Sequence, residues 1–312
     1  MKQRQTENLW ALYPQTNKLV YKPGESLKIN LTVENLSDSS LYFSQAQVAP
    51  SWAEGEVGIK PIEVKDYLPG HASMFLTTFN MTLPQQVGLY TLKFGLETWV
   101  YNYYTVSWEN LGVLWTSDWG YIQVTPTPTY TAFVTRSNRP EDTPIVEQIE
   151  TMIQLWGFEP HTVGIDIFSE DPLKVPAAIE QQISQSAAVI AIATPRDYSL
   201  QENLYQTFPW FHIETGMAFR SDKPLLFIVD ERIKLEGLLE YPNFPKVHYH
   251  PAKLEILEHR LAVVMPSFRK WISDKKSQEF QDALIKAGLV LGGISLVALL
   301  TTAIARGNKE QE

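Results

Sequence analysis

The chain has 312 residues, of which 44% are hydrophobic and 20% charged, a balance that excludes a disordered or collagen-like polymer and leaves room for more than one folded core. It contains no Cys, so disulfides, thiolate metal sites and Cys nucleophiles are excluded together. Its 26 basic residues face 35 acidic ones, and the net charge of −9 opposes attraction to a phosphate backbone, so no nucleic-acid partner is expected.

Lys2 and Arg4 are not followed by an apolar run, and no signal peptide is expected. From about Lys18 to Val124 the pattern has period two. Leu27, Ile29, Leu31 and Val33 alternate with Lys28, Asn30, Thr32 and Glu34, while Phe75, Phe79, Met81 and Leu83 share one parity and Tyr90, Leu92 and Phe94 another. Turn signals at Pro23-Gly24, Asn35 to Asp38, Pro69-Gly70 and Gln86 to Gly88 punctuate these runs. Residues 1–124 are therefore predicted to form an all-β sandwich of immunoglobulin-like pattern, its ligand or protein partner unknown. Trp99, Tyr101, Tyr103, Tyr104, Trp108, Trp115, Trp119 and Tyr121 crowd its end, and core and cross-strand packing is favoured over a binding surface for most of them. The sequons at Asn30, Asn35 and Asn80 are read as chance.

Residues 125–129 form a Thr-Pro-Thr-Pro-Thr linker, after which strands and helices alternate. A strand at Tyr130 to Thr135 precedes a helix over Asp142 to Trp156, closed by Gly157, and a strand near His161. Then come a helix over Val175 to Ala187, a buried strand at Ala188 to Ala193, and a helix over Pro209 to Arg220. Strands at Leu225 to Val229 and Val247 to Tyr249 follow, then an amphipathic helix over Ala252 to Ile272 carrying Pro266. This alternation predicts an α/β doubly wound parallel sheet over residues 130–274, with its ligand crevice outside the carboxyl ends of the strands. A juxtamembrane segment is assigned to 275–286. Residues 287–305, uncharged and bounded by Lys286 and Arg306, read as a transmembrane helix, with a tail at 306–312. Single-pass C-terminal anchoring in a membrane is expected. Gly288 and Gly292 within that stretch would let such helices associate, which favours a homo-oligomer.

The strand ends carry Thr135-Arg136-Ser137-Asn138, Gly164-Ile165-Asp166, Thr194-Pro195-Arg196-Asp197 and Asp230-Glu231-Arg232. Glu214 falls in the first turns of its helix, where the macrodipole favours a carboxylate and is expected to hold it ionised. A helix-capping role, or pairing with Arg196 or Arg220, is the structural alternative. Neither G-x-G-x-x-G, a Walker A loop nor G-x-S-x-G occurs, so dehydrogenase, P-loop and nucleophile-elbow chemistries fall away. His248 and His250 have no third partner at ligand spacing, and no metal is expected.

Over about Tyr130 to Ile272 these residues resemble the Toll/interleukin-1 receptor (TIR) domain. The run from Val175 to Tyr198 is similar to that family's loop, helix and strand ending in a Ser/Thr-containing turn with a following Tyr, and Trp210-Phe211-His212-Ile213-Glu214 is similar to its Trp-Cys-x-x-Glu motif. The resemblance implies a flavodoxin-like sheet and an effector that cleaves the N-glycosidic bond of NAD with release of nicotinamide. It also implies Glu214 as the catalytic residue and a loop around Asp166 to Pro176 that gates the pocket and joins neighbouring subunits. NAD is then a substrate, and no cofactor is expected. Trp210, Arg136, Thr135, Thr194 and Asp166 become the substrate-binding candidates, Arg136 for the diphosphate through bidentate contacts. Soluble domains facing the cytoplasm, where NAD is found, would follow, with the sandwich as a sensing or docking module. Glu214-Thr215-Gly216-Met217-Ala218 is also similar to the Glu before a Gly-x-Ala helix in nucleoside deoxyribosyltransferases, which likewise act on an N-glycosidic bond. The alternative is a non-catalytic nucleotide receptor or TIR-type assembly scaffold.

Overall fold

The computed structural model describes residues 3–4, 9–53, 59–163 and 174–286. The chain divides into two compact units, Met1–Phe268 and Arg269–Glu312.

The first unit opens with a sandwich of β1 (Gln3–Arg4), β2 (Trp10–Gln15), β3 (Val20–Tyr21), β4 (Ser26–Asn35), β5 (Leu41–Pro50), β6 (Lys60–Leu68), β7 (Ser73–Thr82), β8 (Gly88–Asn102), β9 (Ser107–Trp115) and β10 (Trp119–Val124). One sheet runs β1-β2-β4-β7; the other runs β3-β10-β8-β5-β6, with β9 paired to β8 off that path. Every pairing is antiparallel except β3 with β10. Leu27, Ile29, Leu31 and Val33 of β4 are fully buried in the core between the sheets, together with Phe43, Leu92 and Phe94. Burying them removes apolar surface from water at about 25 cal/mol per Å².

The parity expected for Phe75 is corrected. The β4–β7 register shifts between Leu31 and Thr32, so Leu31 pairs with Thr77 and Thr32 with Phe75. Leu76 is left without a register partner, and a bulge of that kind reverses which side chains face inward. Leu76 is buried while Phe75 is 59% exposed. The aromatic run also divides. Trp119 joins the core, whereas Tyr103, Tyr104 and Trp108 are exposed on and around the β8–β9 turn. There Trp108 packs edge-on against Tyr42, Tyr67 and Tyr101.

After residues 125–129 the chain forms β11 (Tyr130–Thr135), α1 (Thr143–Leu155), β12 (Phe158–His161), α2 (Val175–Gln185), β13 (Ala188–Ala193), β14 (Asp197–Ser199), β15 (Leu204–Gln206), α3 (Pro209–Arg220), β16 (Leu225–Asp230), β17 (Lys246–Tyr249) and α4 (Leu254–Lys286). The parallel sheet has the order β12-β11-β13-β16-β17, and β14 and β15 make a separate antiparallel hairpin. In this order the chain first moves outward from β11 to β12 and then back across to β13, so the topological switch lies between β11 and β13. All six residues of β13 and of β16 are buried, as a strand covered on both faces requires. Gly157, at φ +75°, ends α1 in the left-handed conformation that glycine adopts without a Cβ clash.

The expected membrane-spanning helix is corrected, and with it the membrane anchor and the membrane localisation. Among the described residues no helix is long and apolar enough to cross a bilayer. The last described helix, α4, carries Lys270, Asp274, Lys275, Lys276, Glu279 and Asp282 along its second half, a density of charge incompatible with a lipid core. Residues 287–305, with Gly288 and Gly292, lie outside the described residues.

Candidate functional site

Helix α3 opens after Phe208, whose backbone is extended, and Pro209 at the first helical position needs no N–H partner. From that start Trp210 and Glu214 stand four residues apart on one helical face. Both line a cavity of about 570 Å³ beside the carboxyl end of β11. Its remaining described wall comes from Val134 and the Arg136–Pro140 loop, from Thr162 and Val163 after β12, from Val175 and Ile179 on α2, from Arg196 after β13, and from Phe208. The cavity thus sits at the topological switch. Phe211, the next residue of α3, is fully buried and packs against Phe208 and Phe227 at ring separations of 5.8 and 5.9 Å. Trp210, by contrast, is 47% exposed where it lines the cavity.

Glu214 is only 6% exposed and forms no ion pair among the described residues, so neither Arg196 nor Arg220 neutralises it. Burial pushes its carboxyl up to about 7, and the nearby Thr135 hydroxyl opposes that rise. The Thr135 Oγ1 falls short of hydrogen-bond geometry with any partner and remains a buried, unsatisfied hydroxyl. The expectation that the helix holds Glu214 ionised is corrected. Glu214 lies beyond the first turn of α3, where the macrodipole is worth about 0.3–1 kcal/mol at most, while the shift produced by burial corresponds to about 3 kcal/mol.

The structure sorts the other candidates. Arg136 reaches the cavity wall, yet its side chain is 7% exposed and its Nε lies 3.3 Å from Glu150 Oε1 on α1. Its charge is already matched. Thr194 is buried and donates to Asp142 Oδ2 at 3.2 Å, which takes it out of the described lining. Thr135 ends β11 behind the wall, next to Glu214. Asp166 lies outside the described residues, as does most of the loop expected to gate the pocket. Three wall residues carry chemistry that the motifs did not single out. Arg139 donates through Nη2 and Nε to Asp142 at 2.8 and 3.0 Å, and through Nη2 to the Pro195 carbonyl at 2.7 Å. Asn138 Nδ2 donates to the Val163 carbonyl at 3.0 Å and ties the β11 and β12 ends together. Arg196 is exposed at the rim. Asn138 and Arg196 fall in the polar strand-end clusters, which was the available signal; Arg139 lies one residue beyond the first of them.

No family model matches the chain, and no curated protein matches it. Among solved structures the chain is similar to a cycloisomaltooligosaccharide glucanotransferase from Paenibacillus sp., with 11% identity over 74% of this chain and 46% of that one, at a TM-score of 0.35. A CMP N-glycosidase from Clostridium botulinum shares 18% identity over 40% of this chain and 98% of its own, at a TM-score of 0.29. A flavoenzyme NAD(P)H:(acceptor) oxidoreductase from Paracoccus denitrificans shares 15% identity over 46% and 97%, also at 0.29. The chain spans less than half the length of the glucanotransferase. Likenesses this slight carry no argument about fold or activity.

Proposed function

We propose that the α/β part of the chain, in keeping with its resemblance to TIR domains, cleaves the N-glycosidic bond of NAD and releases nicotinamide, with Glu214 as the catalytic carboxylate. The observation that carries this reading is the pairing of Trp210 and Glu214 on one face of α3 inside a single cavity, with the carboxyl buried. Such a reaction breaks the bond between ribose C1′ and the pyridinium nitrogen, and the bonding electrons leave with neutral nicotinamide. The positive charge then develops on the ribose, where an ionised carboxylate stabilises it. Water adds at C1′, and its proton passes to Glu214 and then to solvent, completing hydrolysis to ADP-ribose.

The protonation state of Glu214 suits this cycle. A carboxyl near 7 is partly protonated in the free site, and a cationic pyridinium brought beside it favours the ionised form that the reaction needs. Trp210 offers a half-exposed indole face to the same cation. The sandwich is assigned a docking role, supported by the exposed aromatic group around Trp108. Incubation of the full chain with NAD, followed by chromatography, tests the reading: nicotinamide and ADP-ribose are expected in equal amounts. Nucleotide binding without nicotinamide release would replace it with that of a non-catalytic nucleotide receptor.

A further inference from the structure

Three arginines line the described part of the cavity, and they are not equivalent. Arg136 is matched by Glu150, and Arg139 by Asp142 with a further hydrogen bond to the Pro195 carbonyl. Arg196 has no ion pair and no side-chain hydrogen bond among the described residues, although its backbone is firmly held. Its N–H donates to the Gln206 carbonyl at 2.8 Å, at the base of the β14–β15 hairpin. The two residues before it are pinned as well, Thr194 through its hydroxyl to Asp142 and Pro195 through its carbonyl to Arg139. Tyr198 and Tyr205 pack across the hairpin with ring centroids 5.0 Å apart. A fixed main chain therefore presents an unused guanidinium at the rim of the cavity that holds Glu214. With the other two arginines neutralised, this guanidinium is the cavity wall's uncompensated cation among the described residues.

We propose that Arg196 binds the 5′-phosphate of the ribosyl unit whose N-glycosidic bond faces Glu214, so that the site accepts 5′-phosphorylated nucleotides and discriminates against free nucleosides. This rests on the nucleotide-cleavage reading above and deepens it. A guanidinium grips a phosphate through two parallel N–H···O bonds, and a nucleoside offers nothing to replace that contact. Arg136, the residue the sequence nominated for this task, would first have to give up Glu150.

The test measures binding of nicotinamide mononucleotide and nicotinamide riboside by calorimetry to the full chain carrying Glu214→Gln, which holds ligand without turnover. The same titrations are repeated with Arg196→Gln or Arg196→Lys added, alongside NAD cleavage by the wild type. The mononucleotide is expected to bind ~10-fold or more tighter than the riboside, in line with a charge-assisted contact. Arg196→Gln should bring that ratio to about 1 without changing riboside affinity, and Arg196→Lys should keep part of it. A ratio that survives Arg196→Gln, or that is already near 1 with Arg196 present, overturns the assignment of Arg196 while NAD cleavage by the wild type leaves the catalytic reading standing. Absence of both cleavage and binding of either ligand overturns the catalytic reading and this inference with it.

Discussion

Ionising Glu214 in a wall that withholds water costs free energy, and that cost is measurable as a dependence of stability on pH. Its folded value of about 7 stands above the ordinary 4.5, so between the two the folded chain holds the extra proton. The carboxyl's contribution is fully present below pH 4.5 and is lost as pH rises through 7. Glu214→Gln removes the ionisation. The variant should be more stable than the wild type by about 3 kcal/mol at pH 8 and by less than about 1 kcal/mol at pH 5, as read by denaturant unfolding at the two values. Equal differences at both would show that Glu214 titrates normally. Asn35 illustrates a different kind of buried polar group. Fully enclosed, it donates from Nδ2 to the carbonyls of Ser39, Leu68 and Pro69 at 2.8, 3.2 and 3.0 Å and accepts from the Ser37 N–H at 2.9 Å. Asn35→Ala should cost about 2–4 kcal/mol by the same unfolding measurement, because three carbonyls, that of buried Leu68 among them, lose their donor. Enclosed in this way, its amide is a structural hub of the turn, whatever the sequon around it spells.

Periodic hydrophobicity made most elements of the α/β region legible, because a strand such as β13, apolar throughout, and a helix such as α1, with Val146, Ile149 and Ile153 buried, have different repeats. What it could not show was any feature set by partner strands. The bulge opposite Leu31 and Thr32 is a property of the β4–β7 pair, and it alone decides that Phe75 faces outward and Leu76 inward. Phe75→Ser should therefore change stability by less than about 0.5 kcal/mol, whereas Phe79→Ala, at a fully packed position of the same strand, should cost about 3–5 kcal/mol. Comparable losses from the two would contradict the register. The β14–β15 hairpin also escaped, since Asp197–Ser199 and Leu204–Gln206 are too short to establish a period and carry no turn glycine. That omission mattered for the site, because the hairpin base is what fixes Arg196. Of the site itself, Trp210 and Glu214 were readable from their spacing, while the pairings that occupy Arg136 and Thr194 depend on α1 and on the loop before it.

Within the first compact unit the sandwich and the parallel sheet are joined by more than residues 125–129, since the Leu19 N–H donates to the Leu155 carbonyl at 2.7 Å. This contact links the chain just before β3 with the end of α1, the helix whose Glu150 holds Arg136 at the cavity wall. This unit therefore carries its exposed aromatic group and its buried carboxylate on two differently built parts, the carboxylate in the α/β part. The claim on which this account turns is that Glu214, in its ionised form, cleaves a nucleotide's N-glycosidic bond. The most direct measurement is the rate of nicotinamide release from NAD by the full chain between about pH 5 and about pH 9, with Glu214→Gln measured in parallel. At limiting NAD, the wild-type rate should rise through pH about 7 and level off above it, and the variant should be inactive throughout. Release that continues undiminished in Glu214→Gln, or that falls as pH rises through 7, would contradict the account.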